Sequence, residues 1–221
     1  MKDSFLYPIV FMLIMVVLFT GILAVMFRFS EEKIRTYEDD TYQKKILSTM
    51  VTQIAEATEQ SPDEIIAAYP ESFEQYVQQL KPDGFERKVY QAVVDSAVVA
   101  YCFEIKGNGL WGSMSALVST STDFRTILNF AIVNQQETPG LGARIEEDWF
   151  LSQFQNIVFV VNPESTEDVT QSYEFISESQ KPENDRQLKR VTGATITSDS
   201  VIKMLRAEFN YIYDYVRSKE L

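Results

Sequence analysis

The sequence predicts an α+β fold: an N-terminal transmembrane helix, then a twisted, mainly antiparallel sheet with flanking helices. Three observations predict it. Phe5 to Phe27 is a run of 23 residues without a charge. From Phe85 onward the chain breaks into short segments rich in β-branched and aromatic residues, joined by short polar turns, as paired strands are. The chain closes on Ser198 to Arg217, where Val201, Leu205, Phe209, Ile212 and Val216 recur near the 3.6-residue period of an amphipathic helix.

Each element follows in order. A spanning helix needs roughly 20 apolar residues, and Phe5 to Phe27 is long enough. A cleaved signal peptide has a shorter apolar core ending in small residues. This run ends Ala24-Val25-Met26-Phe27-Arg28, a poor cleavage site, so a retained anchor is the favoured reading. Pro8 lies in the first turns, where proline is tolerated. Residues 31–60 place Ile34, Tyr37, Tyr42, Ile46, Met50 and Ile54 at helical spacing and read as a helix leaving the membrane. Ser61-Pro62-Asp63-Glu64 reads as a new helix start, ending near the turn Lys81-Pro82-Asp83-Gly84.

Strands follow at Val89–Val94 and Val98–Ile105 around Asp95-Ser96, then at Met114–Thr120 and Thr126–Val133 around Ser121-Thr122-Asp123. Glu146–Phe154 reads as a short helix and Ile157–Val161 as a strand. Glu164–Arg190 is polar and reads as a long loop with a strand at Tyr173–Ile176. The expected organisation is an anchor over 1–29, a juxtamembrane helical segment over 30–84 and a folded domain over 85–221.

Composition narrows the chemistry. The chain has 221 residues, 45% of them hydrophobic, and a formal charge of −12. Such a surface repels nucleic acid. Histidine is absent, which removes the usual general base and the Ser-His triad. Cys102 is the single cysteine, too few for an iron–sulfur cluster, which takes about four ligands. No metal site and no catalytic side chain are expected. Redox chemistry here requires an organic cofactor. The span carries no charge, and intramembrane charges are the usual mark of an ion path.

Three glycine-containing segments interrupt the strand pattern: Gly107-Asn108-Gly109-Leu110-Trp111-Gly112, Glu137-Thr138-Pro139-Gly140-Leu141-Gly142, and Thr192-Gly193-Ala194-Thr195-Ile196-Thr197-Ser198. Taken singly, the first two are turn chemistry and the third is a helix cap. Together they offer close backbone approach and an apolar wall for a flat ligand. The third adds a nucleophilic hydroxyl beside a helix N-terminus, which favours phosphate.

The order GNGLWG, ETPGLGARI, TGATITS behind one span resembles the FMN-binding subunits of bacterial redox-driven sodium pumps. These belong to the Rnf complex, where the subunit is designated G, and to the Na⁺-translocating NADH:quinone oxidoreductase, where it is designated C. The motif order covers roughly residues 85–217; the GLW segment resembles the quinone-reductase type, while the short chain and the ARI…WF…QF continuation resemble the Rnf type, which is slightly preferred. The resemblance implies FMN attached through its phosphate to Thr195. Thr192, Gly193, Ala194, Thr197 and Ser198 would surround the phosphate. Glu137, Thr138, Gly140, Leu141, Gly142, Leu110 and Trp111 would wall the flavin. It further implies an external flavin transferase that uses FAD and magnesium, and partner membrane and iron–sulfur or flavin subunits. It places the flavin domain on the outer face of the cytoplasmic membrane. The flanking charges (Lys2 against Arg28, Lys33 and Arg35) lean the other way by about two residues under the positive-inside rule. The family usually carries an acid six positions before the modified threonine; here that position is Lys189. Two other classes remain open: an anchored extracytoplasmic flavin domain outside any ion pump, and a non-redox binding module.

Overall fold

A computed structural model of the chain describes residues 6–165 and 167–218. Two compact units divide at Tyr42/Gln43, a boundary that falls inside the 30–84 segment. Helix α1 runs from Leu6 to Thr58. Its apolar part has a mean hydropathy of 3.0 over the best window and is unburied along that window. It is therefore long and apolar enough to cross a membrane. Ile34 and Tyr37 are exposed. From Gln43 the helix belongs to the second unit, where Ile46, Leu47, Met50 and Ile54 are completely buried on one helical face.

Ser61 caps the helix start the sequence predicts, and Glu64 makes the cap reciprocal. The Glu64 N–H donates to the Ser61 hydroxyl at 3.2 Å, and the Ser61 N–H donates to the Glu64 carboxylate at 3.1 Å. The capped helix α2 spans Pro62–Ala67 and α3 spans Glu71–Tyr76. The helical expectation up to residue 81 fails at Val77. Val77–Leu80 is instead strand β1, paired antiparallel with Val89–Ala92 of β2 (Val89–Val94). Its backbone satisfies the N–H and C=O groups along the edge of β2, which a helix could not do.

The sheet continues as an antiparallel meander through β3 (Ala97–Asn108), β4 (Ser113–Thr120), β5 (Thr126–Asn134) and a two-residue β6 (Ile157–Val158). Asp95 and Ser96 both take positive φ, 49° and 68°, as a two-residue hairpin turn compatible with strand twist requires.

Strand β3 is buried on both faces, which follows from alternation of side chains across a covered sheet. One face carries Phe103 and Ile105 into the main core with Met114, Val118, Phe130, Phe150 and Phe209. On the other, Cys102 lies 3.5 Å from the Thr49 hydroxyl, and the Ser119 hydroxyl donates to the Thr49 carbonyl at 2.6 Å. The 43–58 part of α1 covers that second face. Burial pushes the Cys102 thiol up to about 12, so it is an unreactive core residue.

The expected helix over 146–154 resolves into three short pieces. A 3₁₀ turn spans Gly142–Glu146, α4 spans Asp148–Leu151, and a second 3₁₀ turn spans Ser152–Phe154. Glu147 interrupts them with an extended backbone, φ −69° and ψ 141°. The polar 164–190 segment holds β7 (Glu174–Ile176), paired in parallel with β8 (Gln187–Lys189). The last helix, α5, spans Thr195–Ser218. It starts three residues before the expected Ser198, and this makes Thr195 its first residue.

Candidate functional site

The three glycine segments lie at the ends of elements that the sheet and α5 hold rigidly. Gly107 ends β3 where α5 crosses it. A Cβ there would sit 2.8 Å from the Met204 Cβ, so glycine sets the approach of the helix to the strand. The following loop closes with the Gly109 N–H donating to the Gly112 carbonyl at 2.8 Å. It leaves Leu110 and Trp111 exposed, the latter by 68%.

Pro139 and Gly140 form the turn the sequence predicts. The Leu141 N–H donates to the Thr138 carbonyl at 3.1 Å, and Gly140 takes φ +74°, as a type II turn requires. The third segment repeats the device. The Ala194 N–H donates to the Val191 carbonyl at 3.0 Å, and Gly193 has φ +78°. A Cβ on Gly193 would lie 3.1 Å from the Leu141 side chain, which places Leu141 against this turn.

Thr195 follows with its side chain exposed. Its amide and those of Ile196 and Thr197 open α5, where N–H groups have no carbonyl one turn back to accept them. Helix dipole and amides together favour an anion at this point. Thr197 and Ser198 face the other way. Both are buried. The Thr197 hydroxyl donates to Glu137 at 2.6 Å, and the Ser198 hydroxyl accepts from the Val191 N–H at 3.1 Å. They stand behind the turn, with protein partners of their own.

Glu137 is buried and serves all three segments. One carboxylate oxygen accepts from the Leu110 N–H at 2.7 Å and the Trp111 N–H at 3.0 Å. The other accepts from Thr197. Thr138, Gly140, Leu141 and Gly142 continue from it, and Gly142 packs so closely that a Cβ would meet the Glu137 carboxylate at 2.6 Å and the Thr197 hydroxyl at 2.9 Å.

A second set of contacts has no counterpart in the sequence motifs. Glu178 accepts from the Thr192 N–H at 2.9 Å and pairs with Arg144 at 2.7 Å. Arg144 also pairs with Glu147 at 3.1 Å and stands over the Trp149 ring. The Arg144 guanidinium, then the Thr192 N–H, hold the Glu178 carboxyl down to about 2. Arg190 stands 3.6 Å from Asp199 and over the Phe175 ring. A cavity of about 350 Å³ opens here, bordered by Phe175, Glu178, Arg190, Thr192, Gly193 and Thr195. Arg144 lies inside the ETPGLGARI stretch, but its pairing with Glu178 spans 34 residues, through α4, β6 and part of the polar 164–190 segment, and leaves no spacing signal. Lys189 sits in β8, its backbone bonded on both sides by the Gln153 amide at 2.6 and 3.1 Å. Among the described residues no cluster of acidic or cysteine side chains could hold a metal.

Residues 109–208 match the family described as FMN-binding domain. Over these residues the chain is similar to that family. The match begins at the β3–β4 loop and takes in the rest of that glycine segment and both of the others. Among curated relatives, the chain is 30% identical over 132 residues to the subunit designated G of the ion-translocating oxidoreductase complex of Methanosarcina acetivorans, covering 59% of this chain and 61% of that one. It is 35% identical over 66 residues to the subunit designated C of the Na(+)-translocating NADH-quinone reductase of Vibrio vulnificus, covering 30% and 26%. The chain thus spans less than two thirds of the length of these relatives. The crystal structure of the corresponding Na(+)-translocating NADH-quinone reductase subunit from Parabacteroides distasonis shares the fold, with a TM-score of 0.55 at 22% identity over 81% of this chain and 91% of that one.

The residues present fit FMN. An exposed hydroxyl stands at a helix start, a glycine turn clears space beside it, and exposed Leu110, Trp111, Leu141 and Ile196 offer apolar surface to a flat ring.

Proposed function

We propose that this chain is a single-span membrane flavoprotein subunit of an ion-translocating oxidoreductase complex, with FMN esterified through its phosphate to Thr195. One observation carries the reading: within the stretch similar to the FMN-binding domain family, the Thr195 hydroxyl is exposed at the first residue of α5, beside the open turn at Gly193. The Rnf-type assignment rests on the 132-residue alignment to the Methanosarcina acetivorans protein, twice as long as that to the Vibrio vulnificus quinone-reductase protein. The quinone-reductase type remains the alternative.

FMN, when bound, supplies one- or two-electron transfer. The chain's own residues do the rest. The amides of Thr195, Ile196 and Thr197 offset the negative charge of the phosphodiester. Thr192 and Gly193 shape the turn around it. Leu110, Trp111 and Leu141 shield one side of the flavin from water. Thr195 has no histidine beside it, so an external transferase performs the attachment. The Thr195 oxygen–phosphorus bond forms, the FAD diphosphate bond breaks, AMP leaves, and a base of the transferase takes the hydroxyl proton. Magnesium, held by the transferase, would supply Lewis-acid activation for that transfer.

Intact mass and in-gel flavin fluorescence test this on the full chain made with its transferase. The expected result is one FMN adduct that disappears in Thr195→Ala. Fluorescence surviving denaturation in that variant overturns the attachment site, and no adduct on the natural sequence overturns covalent attachment.

We place the domain on the outer face of the cytoplasmic membrane. The variant Glu167→Cys, at an exposed position, should react with an impermeant maleimide in intact cells, while Cys102, buried with its pKa raised, stays silent. Labelling only after lysis reverses the topology.

A further inference from the structure

We infer that Glu137 is a positioning residue that locks the Leu110-Trp111 loop to the start of α5, and that its carboxylate does so without touching the cofactor. The inference rests on the flavin reading for its consequence and on geometry alone for the lock. Glu137 is 6% exposed. Its two oxygens receive three hydrogen bonds, at 2.7, 3.0 and 2.6 Å, from two loop amides and the Thr197 hydroxyl. The two amides lie 27 and 26 residues away in sequence and the hydroxyl 60. Its own backbone N–H donates to the Gln135 side chain at 2.5 Å.

Two glycines make room for that carboxylate. A Cβ on Gly109 would overlap one of its oxygens, and a Cβ on Gly142 would lie 2.6 Å from the other. The site is thus built around Glu137 from three directions, and a single side chain bridges the loop and the helix. Removing it strands two amides and a hydroxyl, each of which loses a charge-assisted partner. The wall of the site and the residue that bears the phosphate would then move independently.

Glutamine distinguishes a lock from a charge. Its carbonyl oxygen accepts from both amides, and its NH₂ donates to Thr197, whose hydroxyl reverses from donor to acceptor. Glu137→Gln therefore keeps the lock, and Glu137→Ala breaks it.

The experiment uses the full chain in detergent, first in a Thr195→Ala background that needs no flavin. Hydrogen exchange at the Leu110 and Trp111 amides should rise about tenfold or more in Glu137→Ala and stay within about threefold of the parent in Glu137→Gln. Mid-β3 amides such as Phe103 should not change, which controls for global unfolding. Gly109→Ala should loosen the same two amides. The double variant with Glu137→Ala should be no looser than Glu137→Ala alone, because the added methyl then has no carboxylate to displace. In the flavinylated chain, the visible circular dichroism of the flavin should weaken in Glu137→Ala and persist in Glu137→Gln. Unchanged exchange in Glu137→Ala, or equal loosening in both variants, overturns the lock. If the exchange pattern holds but no flavin attaches to the natural sequence, the lock stands and the covalent reading fails.

Discussion

At the residue scale, the site is a set of short-range commitments made by a few polar side chains. Glu178 is the most consequential unpredicted one. Arg144 and the Thr192 N–H favour its charged form and hold its carboxyl from 4.5 down to about 2. A folded-state value below the unfolded one contributes stability above about pH 4.5, and the contribution is lost as pH falls towards 2. Glu178→Gln should therefore lower Tm at about pH 6–7, and the gap from the natural sequence should narrow steadily between about pH 4.5 and 2. The pairs are partly solvent-exposed, so added salt should also narrow the gap. Thr195 and Glu137 stood out in the sequence as candidates because they sit in compact motifs. Which way Thr197 and Ser198 face was not, since it depends on helix phase. With Thr195 as the first residue of α5, the third and fourth residues turn inward.

At the element scale, α5 is the organising piece. It packs along β3 through Val201, Leu205, Phe209 and Ile212, all buried, and sets its first turn against Glu137 and Gly142 through Thr197. Phe209 is fully buried in contact with Phe159, ring centroids 5.0 Å apart. Phe209→Ala should cost about 3–5 kcal/mol, measured by denaturant unfolding. Gly107→Ala tests the crossing itself. Its methyl would enter the Met204 stem, so an overpacking cost of about 1–3 kcal/mol is expected, and repacking Met204 to a smaller side chain should recover part of it. Strands β2 to β5 were readable from alternation and turn residues, and the Ser61 cap from its Pro-Asp-Glu continuation. Strand β1 was not, because Val77-Gln78-Gln79-Leu80 follows a helix without a break signal and becomes a strand only by pairing with β2. The parallel β7–β8 pair was half seen for a similar reason: β8 has three residues and no pattern of its own.

At the scale of the whole molecule, the chain joins an exposed apolar helix to a folded domain whose two sheet faces are both covered. The apolar part of α1 should hold the protein in a membrane. Replacing Leu13 and Leu18 together with arginine adds about 2.5–3.5 kcal/mol for each residue near the bilayer centre. The double variant should shift from the membrane pellet to the soluble fraction after carbonate extraction, while a Leu13→Ala/Leu18→Ala control stays bound.

The sequence by itself determined the apolar span, the α+β class, the central hairpins and the three motifs that bound the site. Each is a local property: hydropathy over one helix length, alternation over one strand, or a turn written in a few residues. Only the tertiary structure decided that the 43–58 part of α1 covers a sheet face, that Val77–Leu80 extends the sheet, and that Glu137 and Glu178 tie distant loops around Thr195. Those outcomes depend on which backbone edges and buried carboxylates find partners across tens of residues. A buried donor or acceptor must be satisfied wherever the fold brings one, and no spacing in the chain records where that will be.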